Sequence, residues 1–279
     1  MVVKIRLAAL AAITLLTSTP AAAQEQPGVT VRKDVVYFDG PADEAPRHKL
    51  DLYLPQGKKE FPLLMFVHGG AWKTGTKDLY GPLGQSFARQ GIAVAVPGYR
   101  LSPSIQHPEH VKDVARAFAW LARSAAELGA DPKRLYVSGH SAGAHLVTLL
   151  ALDPRYLKAE GTAVDRIRGV VGLSGPYRLP AGTFPDVFGN DAVKYPDAFP
   201  LNHVQDQPGD KLPPFLLIYA DQDYAGLPLS ARTLTDALKA HGAKAAQQEI
   251  ADRNHISIIV KIADAEDPAH KAVVEFIKP

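Results

Sequence analysis

The stretch Leu135-Tyr136-Val137-Ser138-Gly139-His140-Ser141-Ala142-Gly143-Ala144-His145-Leu146-Val147-Thr148-Leu149-Leu150 decides the fold. Its opening is β-branched and aromatic, as in a strand, and its close is a run of helix formers. Between them lies Gly-x-Ser-x-Gly. A strand that turns sharply into a helix sets the residue at the turn on an exposed, strained apex, and Ser141 holds that place. Glycines two positions before and after it let strand and helix approach, because neither carries a Cβ. With ten serines and 22 glycines in 279 residues, the pattern arises by chance roughly 0.06 times. Its coincidence with the strand-turn-helix context marks Ser141 as a candidate nucleophile.

Outward from the serine, strands and helices alternate. Upstream, segments 29–38 and 48–54 read as strands joined by the turn residues Asp39-Gly40-Pro41-Ala42-Asp43. Phe61–Val67 is a continuous apolar run, as in a strand buried on both faces. A helix is expected over 78–90 with Gly91 as its stop, and a strand over 92–96. Val111, Val114, Phe118, Leu121, Ala125 and Leu128 recur at steps of three and four, a helix ended by Gly129. Downstream, strands are expected at 169–173, 215–220 and 244–250, with helices at 229–240 and 268–278. This βαβα order implies the α/β class, a mostly parallel sheet with helices on both faces. Segment 174–213 breaks the pattern with seven prolines; it reads as a cap-like excursion, and Tyr177, Phe184, Phe188, Tyr195 and Phe199 are candidates either for lining a pocket or for anchoring the excursion.

Residues 1–23 read as a signal peptide: Lys4 and Arg6, an apolar run over 7–16, and the small residues Ala21-Ala22-Ala23 before Gln24. The apolar run is about half the roughly 20 residues a membrane span needs. An exported protein, periplasmic or secreted, with one domain over 24–279 and no stable membrane insertion is expected. The formal charge is +2, and without the leader 29 basic residues face 29 acidic ones. Such a balance gives no reason to expect nucleic acid as a partner. The absence of cysteine excludes disulfides, thiol nucleophiles and thiolate metal sites.

A serine hydroxyl needs a base to take its proton, and the base needs a third group to fix its tautomer. Of the late histidines, His241 sits at a helix C-terminus and His270 in the first turns of the last helix. His255 follows the strand 244–250 across a short loop and is the expected base. The turn after strand 215–220 is Asp221-Gln222-Asp223; Asp223 is the favoured acid and Asp221 the runner-up. The N–H groups of Gly70, Ala71 and Ala142 are the expected oxyanion donors. His68 is read as orienting its loop and Trp72 as a packed wall. His107-Pro108-Glu109-His110 reads as a solvated helix start rather than a metal site, and Asp113 and Arg116 as exposed helix charges.

Together His68-Gly69-Gly70-Ala71-Trp72, Tyr99-Arg100-Leu101-Ser102-Pro103, Gly139-His140-Ser141-Ala142-Gly143, the late acid pair and His255 resemble the esterase/lipase branch of the α/β-hydrolase superfamily, particularly bacterial carboxylesterases and arylformamidases. The resemblance covers nearly all of 24–279. It implies a Ser141-Asp223-His255 triad, oxyanion donors at Gly70, Ala71 and Ala142, a small-molecule ester as substrate, and neither metal nor organic cofactor. Two positions depart from the family pattern. Ala220 stands where relatives often have Gly, and Ala71 replaces the third Gly of the lipase form. Ester hydrolysis through an acyl-enzyme is the leading expectation; amide, formamide or peptide hydrolysis on the same fold, and a non-catalytic binding role, are the alternatives.

Overall fold

The structure, a computed structural model, describes residues 28–41, 44–191 and 195–278. The expected leader lies outside them. The described residues build one sheet of eight strands: β1 (Val29–Val36), β2 (Lys49–Pro55), β3 (Phe61–Val67), β4 (Ala93–Pro97), β5 (Ala130–His140), β6 (Ile167–Leu173), β7 (Phe215–Gln222) and β8 (Ala245–Asn254), in the order β1-β2-β4-β3-β5-β6-β7-β8. β2 pairs antiparallel with β1 and with β4. From β4 through β3 to β8 every pairing is parallel. The helices are α1 (Gly81–Arg89), α2 (Glu109–Ser124), α3 (Ala142–Leu152), α4 (Pro154–Ala159), α5 (Pro185–Phe188), α6 (Leu227–Ala240), α7 (Ser257–Lys261) and α8 (Pro268–Ile277).

Period two explains why the sheet has helices on both sides. In β3, Leu63, Met65 and Val67 enter one apolar core, shared with α2, α3 and α6. Leu64 and Phe66 enter the other, shared with α1, α7 and α8. Successive side chains of a strand point to opposite faces, so a strand covered twice must be apolar throughout. Helix α3 is buried at every residue, because it is wedged between the sheet and the 174–213 excursion.

The expected elements are present, with local differences. The helix expected over 78–90 is a 3-10 turn at Lys77–Tyr80 followed by α1, and Pro108 caps α2 instead of opening it. β8 runs past its expected end to Asn254. Its register against β7 shifts between Ala220 and Gln222, and Asp252 adopts φ 55°. Such a bulge bends a strand and re-aims the residues beyond it, here His255.

The excursion is tied down by aromatic rings. Phe188 lies 4.8 Å from Trp72, 5.0 Å from Phe199 and 5.8 Å from both Tyr195 and His145, centroid to centroid. Tyr177, Phe188, Tyr195 and Phe199 are buried, so of the two roles open to them these four take the anchoring one. Phe184 alone of the five is exposed, at 37%.

Candidate active site

Ser141 joins β5 to α3 at φ 54°, ψ −119°, a positive-φ conformation that costs an L residue roughly 1–3 kcal/mol and persists only where its surroundings enforce it. The flanking glycines do so. A Cβ on Gly143 would lie 2.0 Å from the Val67 carbonyl oxygen, and one on Gly139 2.4 Å from the Gly143 carbonyl carbon. The Ser141 N–H donates to the Leu173 carbonyl at 2.8 Å, fastening the apex to β6.

His255 comes to this apex from the end of β8. Its Nε2 stands 3.0 Å from Ser141 Oγ and its Nδ1 2.7 Å from Asp223 Oδ1. A carboxylate can only accept, so Nδ1 carries the proton and Nε2 is free to accept from the hydroxyl. Asp223 has a fully buried side chain. Its Oδ2 accepts from the Ser174 hydroxyl at 2.5 Å and the Ala220 N–H at 3.3 Å, and its Oδ1 from the Tyr224 N–H at 2.9 Å. Burial alone would raise its pKa, but hydrogen bonds from His255 and Ser174 hold the carboxyl below its ordinary value. Asp221 goes elsewhere. It is solvent-exposed and accepts the N–H groups of Asp252 and Arg253 at 3.1 and 2.9 Å, clamping the β8 bulge, and these bonds, Arg253 first, lower its pKa.

The imidazole of His255 is sandwiched. Tyr224, 60% exposed, stacks on it at 4.2 Å and 24° from the solvent side. His140 lies against it from within at 4.7 Å.

On the other side of the serine, Gly70, Ala71 and Trp72 take φ values of 118°, 52° and 59° in succession. The Gly70 carbonyl accepts the N–H groups of Lys73 and Thr74 at 3.0 and 2.9 Å, closing a tight turn. Among the described residues, the N–H groups of Gly70, Ala71 and Ala142 donate to no protein acceptor. The first amides of a helix have no intrahelical partner, which accounts for Ala142. These are donors of the kind a developing oxyanion uses. Trp72 is buried, its ring edge-on to His145 at 5.0 Å. His68 stacks on Tyr99 at 4.3 Å, and Tyr99 donates its hydroxyl to the His68 carbonyl at 3.0 Å. His68 thus orients its loop, and burial lowers its pKa to about 4.

Several polar residues are not where the sequence placed them. Asp113 is fully buried: it receives Arg100 through Nε and Nη2, each at 2.8 Å, and Arg116 at 2.8 Å. This fork ties the Tyr99-Arg100 segment, and so the His68 loop, to α2. The helical periodicity left Asp113 outside the apolar stripe, and its burial depends on an arginine from another segment. The helix start is not solvated either. His110 is buried 3.0 Å from Ser102 Oγ, His107 packs toward Phe188, and desolvation lowers the pKa of both to about 4. Among the described residues, no group of three His, Cys, Asp or Glu side chains is placed to hold a metal. His241 Nε2 donates to the Gln207 carbonyl at 2.8 Å, and His270 stacks on Phe87 beneath α8; neither reaches Ser141. The sequence reading missed His140 and Ser174. The only signal for His140 was its place beside the serine. A cavity of about 430 Å³ opens between the excursion and α6, lined by Arg178, Leu179, Leu201, Gly226 and Leu229 among others.

A family model described as BD-FAE matches residues 50–181. The isoprenylcysteine alpha-carbonyl methylesterase ICME of Arabidopsis thaliana is 31% identical over 251 residues, covering 83% of this chain and 58% of that protein. Esterase LipC of Mycobacterium tuberculosis is 31% identical over 231 residues, covering 75% and 55%. The chain therefore spans a little over half the length of these curated relatives. Among solved structures, an inhibited esterase B from Lactobacillus rhamnosis shares the fold at a TM-score of 0.76 and 22% identity, covering 90% of this chain and 86% of that one.

Proposed function

We propose that this chain, whose sheet has the α/β-hydrolase fold, is a carboxylic-ester hydrolase working through an acyl-enzyme on Ser141. The observation that carries this reading is the unbroken relay Ser141 Oγ to His255 Nε2 at 3.0 Å and His255 Nδ1 to Asp223 Oδ1 at 2.7 Å. His255 takes the hydroxyl proton as Ser141 Oγ bonds to the ester carbonyl carbon. The carbonyl oxygen becomes an oxyanion held by the N–H groups of Gly70, Ala71 and Ala142. Collapse of this intermediate breaks the bond to the alcohol, which leaves with the proton from His255. Water then repeats the sequence on the acyl-serine and frees the acid.

A simple ester is the substrate proposed here. An alkoxide or phenoxide leaves more readily than an amine, and among the described residues His255 is the only group placed to protonate the leaving atom. A fluorophosphonate probe is expected to label the protein once, at Ser141, and kcat/KM is expected to be highest on short alkyl or aryl esters. The panel includes an N-formyl aromatic amine and a peptide amide; a best rate on the formamide transfers the reading to arylformamidase. Labelling that survives Ser141→Ala rejects it. We also place the protein outside the cytoplasm, on the leader at 1–23. N-terminal sequencing of the exported product should begin at Gln24, and an uncleaved chain retained in the cytoplasm refutes this.

A further inference from the structure

We propose that His140 is a positioning residue for His255: its neutral ring donates a hydrogen bond to the His255 backbone carbonyl and thereby sets how far the base stands from the nucleophile. The proposal rests on the reading of Ser141, His255 and Asp223 as the catalytic centre. His140 ends β5 directly before Ser141 and is 4% exposed. Its Nε2 lies 2.9 Å from the His255 carbonyl oxygen. The same residue packs against the oxyanion segment. A Cβ on Gly69 would lie 3.0 Å from His140 Nδ1 and 2.9 Å from the His140 carbonyl oxygen. One residue therefore touches the serine turn, the donor loop and the base.

The chemistry requires a particular kind of side chain here. A carbonyl only accepts, so Nε2 must carry hydrogen. A lysine or arginine would supply that hydrogen with a permanent charge, and would repel the imidazolium that His255 becomes during each turnover. A buried histidine donates without charge. Desolvation, and then the charge of the neighbouring His255, lower its pKa to about 3, with the hydrogen bond to the His255 carbonyl and then the Asp223 carboxylate acting the other way. The ring stays neutral while its neighbour gains and loses a proton.

The other hydrogen bonds around this loop are local. Asn254 Oδ1 accepts from Ile256 N and Ser257 N at 3.0 and 2.8 Å, and the Asn254 N–H donates to Ser257 Oγ at 2.8 Å. They shape the turn without joining it to the serine. The His140 bond makes that join through the backbone, while the bonds to Ser141 and Asp223 act at the imidazole. A misplacement of about 1 Å at such a centre costs on the order of 10² in rate.

The test compares His140→Met, which fills similar volume without a donor, with His140→Gln, whose amide restores one. Rates are taken per site titrated with the fluorophosphonate, so unfolded molecules do not enter. The Met variant is expected to lose roughly 10–100-fold in kcat and in labelling rate while KM stays within about twofold. The Gln variant is expected to recover to within about threefold of the parent. A Met variant within twofold of the parent overturns the proposal, and so does a Gln variant as slow as the Met variant. Should the Met variant not fold, the comparison is His140→Gln against His140→Asn, whose shorter amide cannot reach the carbonyl; equal rates overturn it. Failure of the catalytic reading is recognised separately, as parent protein that is not labelled at Ser141.

Discussion

Asp223→Asn is expected to lower ester hydrolysis about 10⁴-fold, the scale of the corresponding loss in a serine-protease triad, while Asp221→Asn costs less than about tenfold. The two carboxylates are two residues apart, yet they serve different partners. Asp223 Oδ1 faces His255 Nδ1 at 2.7 Å, and the Ser174 hydroxyl and the N–H groups of Ala220 and Tyr224 hold that carboxylate in place. An asparagine there can turn its NH₂ toward Nδ1. The ring proton then moves to Nε2, which can no longer accept from Ser141. Asp221 supports the base at one remove, through the N–H groups of Asp252 and Arg253. An asparagine still offers one acceptor to that bulge, so its loss falls on the ordering of the β8 end. Measuring kcat/KM for both variants on one aryl ester decides between them. Equal losses, or a larger loss for Asp221→Asn, move the acid to Asp221.

Stability is expected to collapse between about pH 6.5 and pH 5. Desolvation lowers the pKa of four buried histidines and the half-buried His107 from 6.5: His68, His107 and His110 to about 4, and His140 and His145 to about 3. Proton uptake sets the sign. Below 6.5 the unfolded chain binds protons that the folded chain refuses, so these groups contribute stability that is complete above 6.5 and is lost as pH falls toward the folded values. Each costs roughly 1.4 kcal/mol per pH unit within that window. His107, His110 and His145 act on one another's charge, so the five losses do not simply add; two or three such groups still remove a few kcal/mol per pH unit, against a total stability of about 5–15 kcal/mol for a typical domain. Below the ordinary carboxylate range Asp223 and Asp113 add losses of the same sign, since both have lowered pKa values, Asp113 to about 2. Urea midpoints at pH 8, 7.5 and 5.5 test this. The first two should be similar and the third far lower; a midpoint unchanged at 5.5 means that the histidines protonate in place.

These histidines also explain where the sequence was hard to read. His107 and His145 pack on Phe188, and His145 Nε2 contacts the Ala198 carbonyl at 2.8 Å, so they join the excursion to the body. An isolated His in a loop or on α3 carries no local mark of that duty. The rings of Tyr177, Phe188, Tyr195 and Phe199 suit a pocket wall and a packed anchor equally well by composition.

What the sequence determined by itself was whatever obeys a short-range rule. Continuous apolar runs such as Phe61–Val67 require a strand covered on both faces, and the order of strands and helices requires a parallel sheet. Gly139 and Gly143 mark a turn that no Cβ would fit, which sets Ser141 at the apex. Gly69 and Gly70 likewise marked the donor loop. Tertiary structure supplied the reason that Asp223, already favoured over Asp221 in the sequence, faces His255: the choice depends on a bulge at Asp252 in a strand about thirty residues further on. It also decided that Asp113 is buried under Arg100 and that His140 holds the His255 carbonyl. Each of these turns on the direction in which a side chain leaves one segment and on which distant segment packs there. Neither quantity has a periodicity along the chain, so they exist only once the strands are in register.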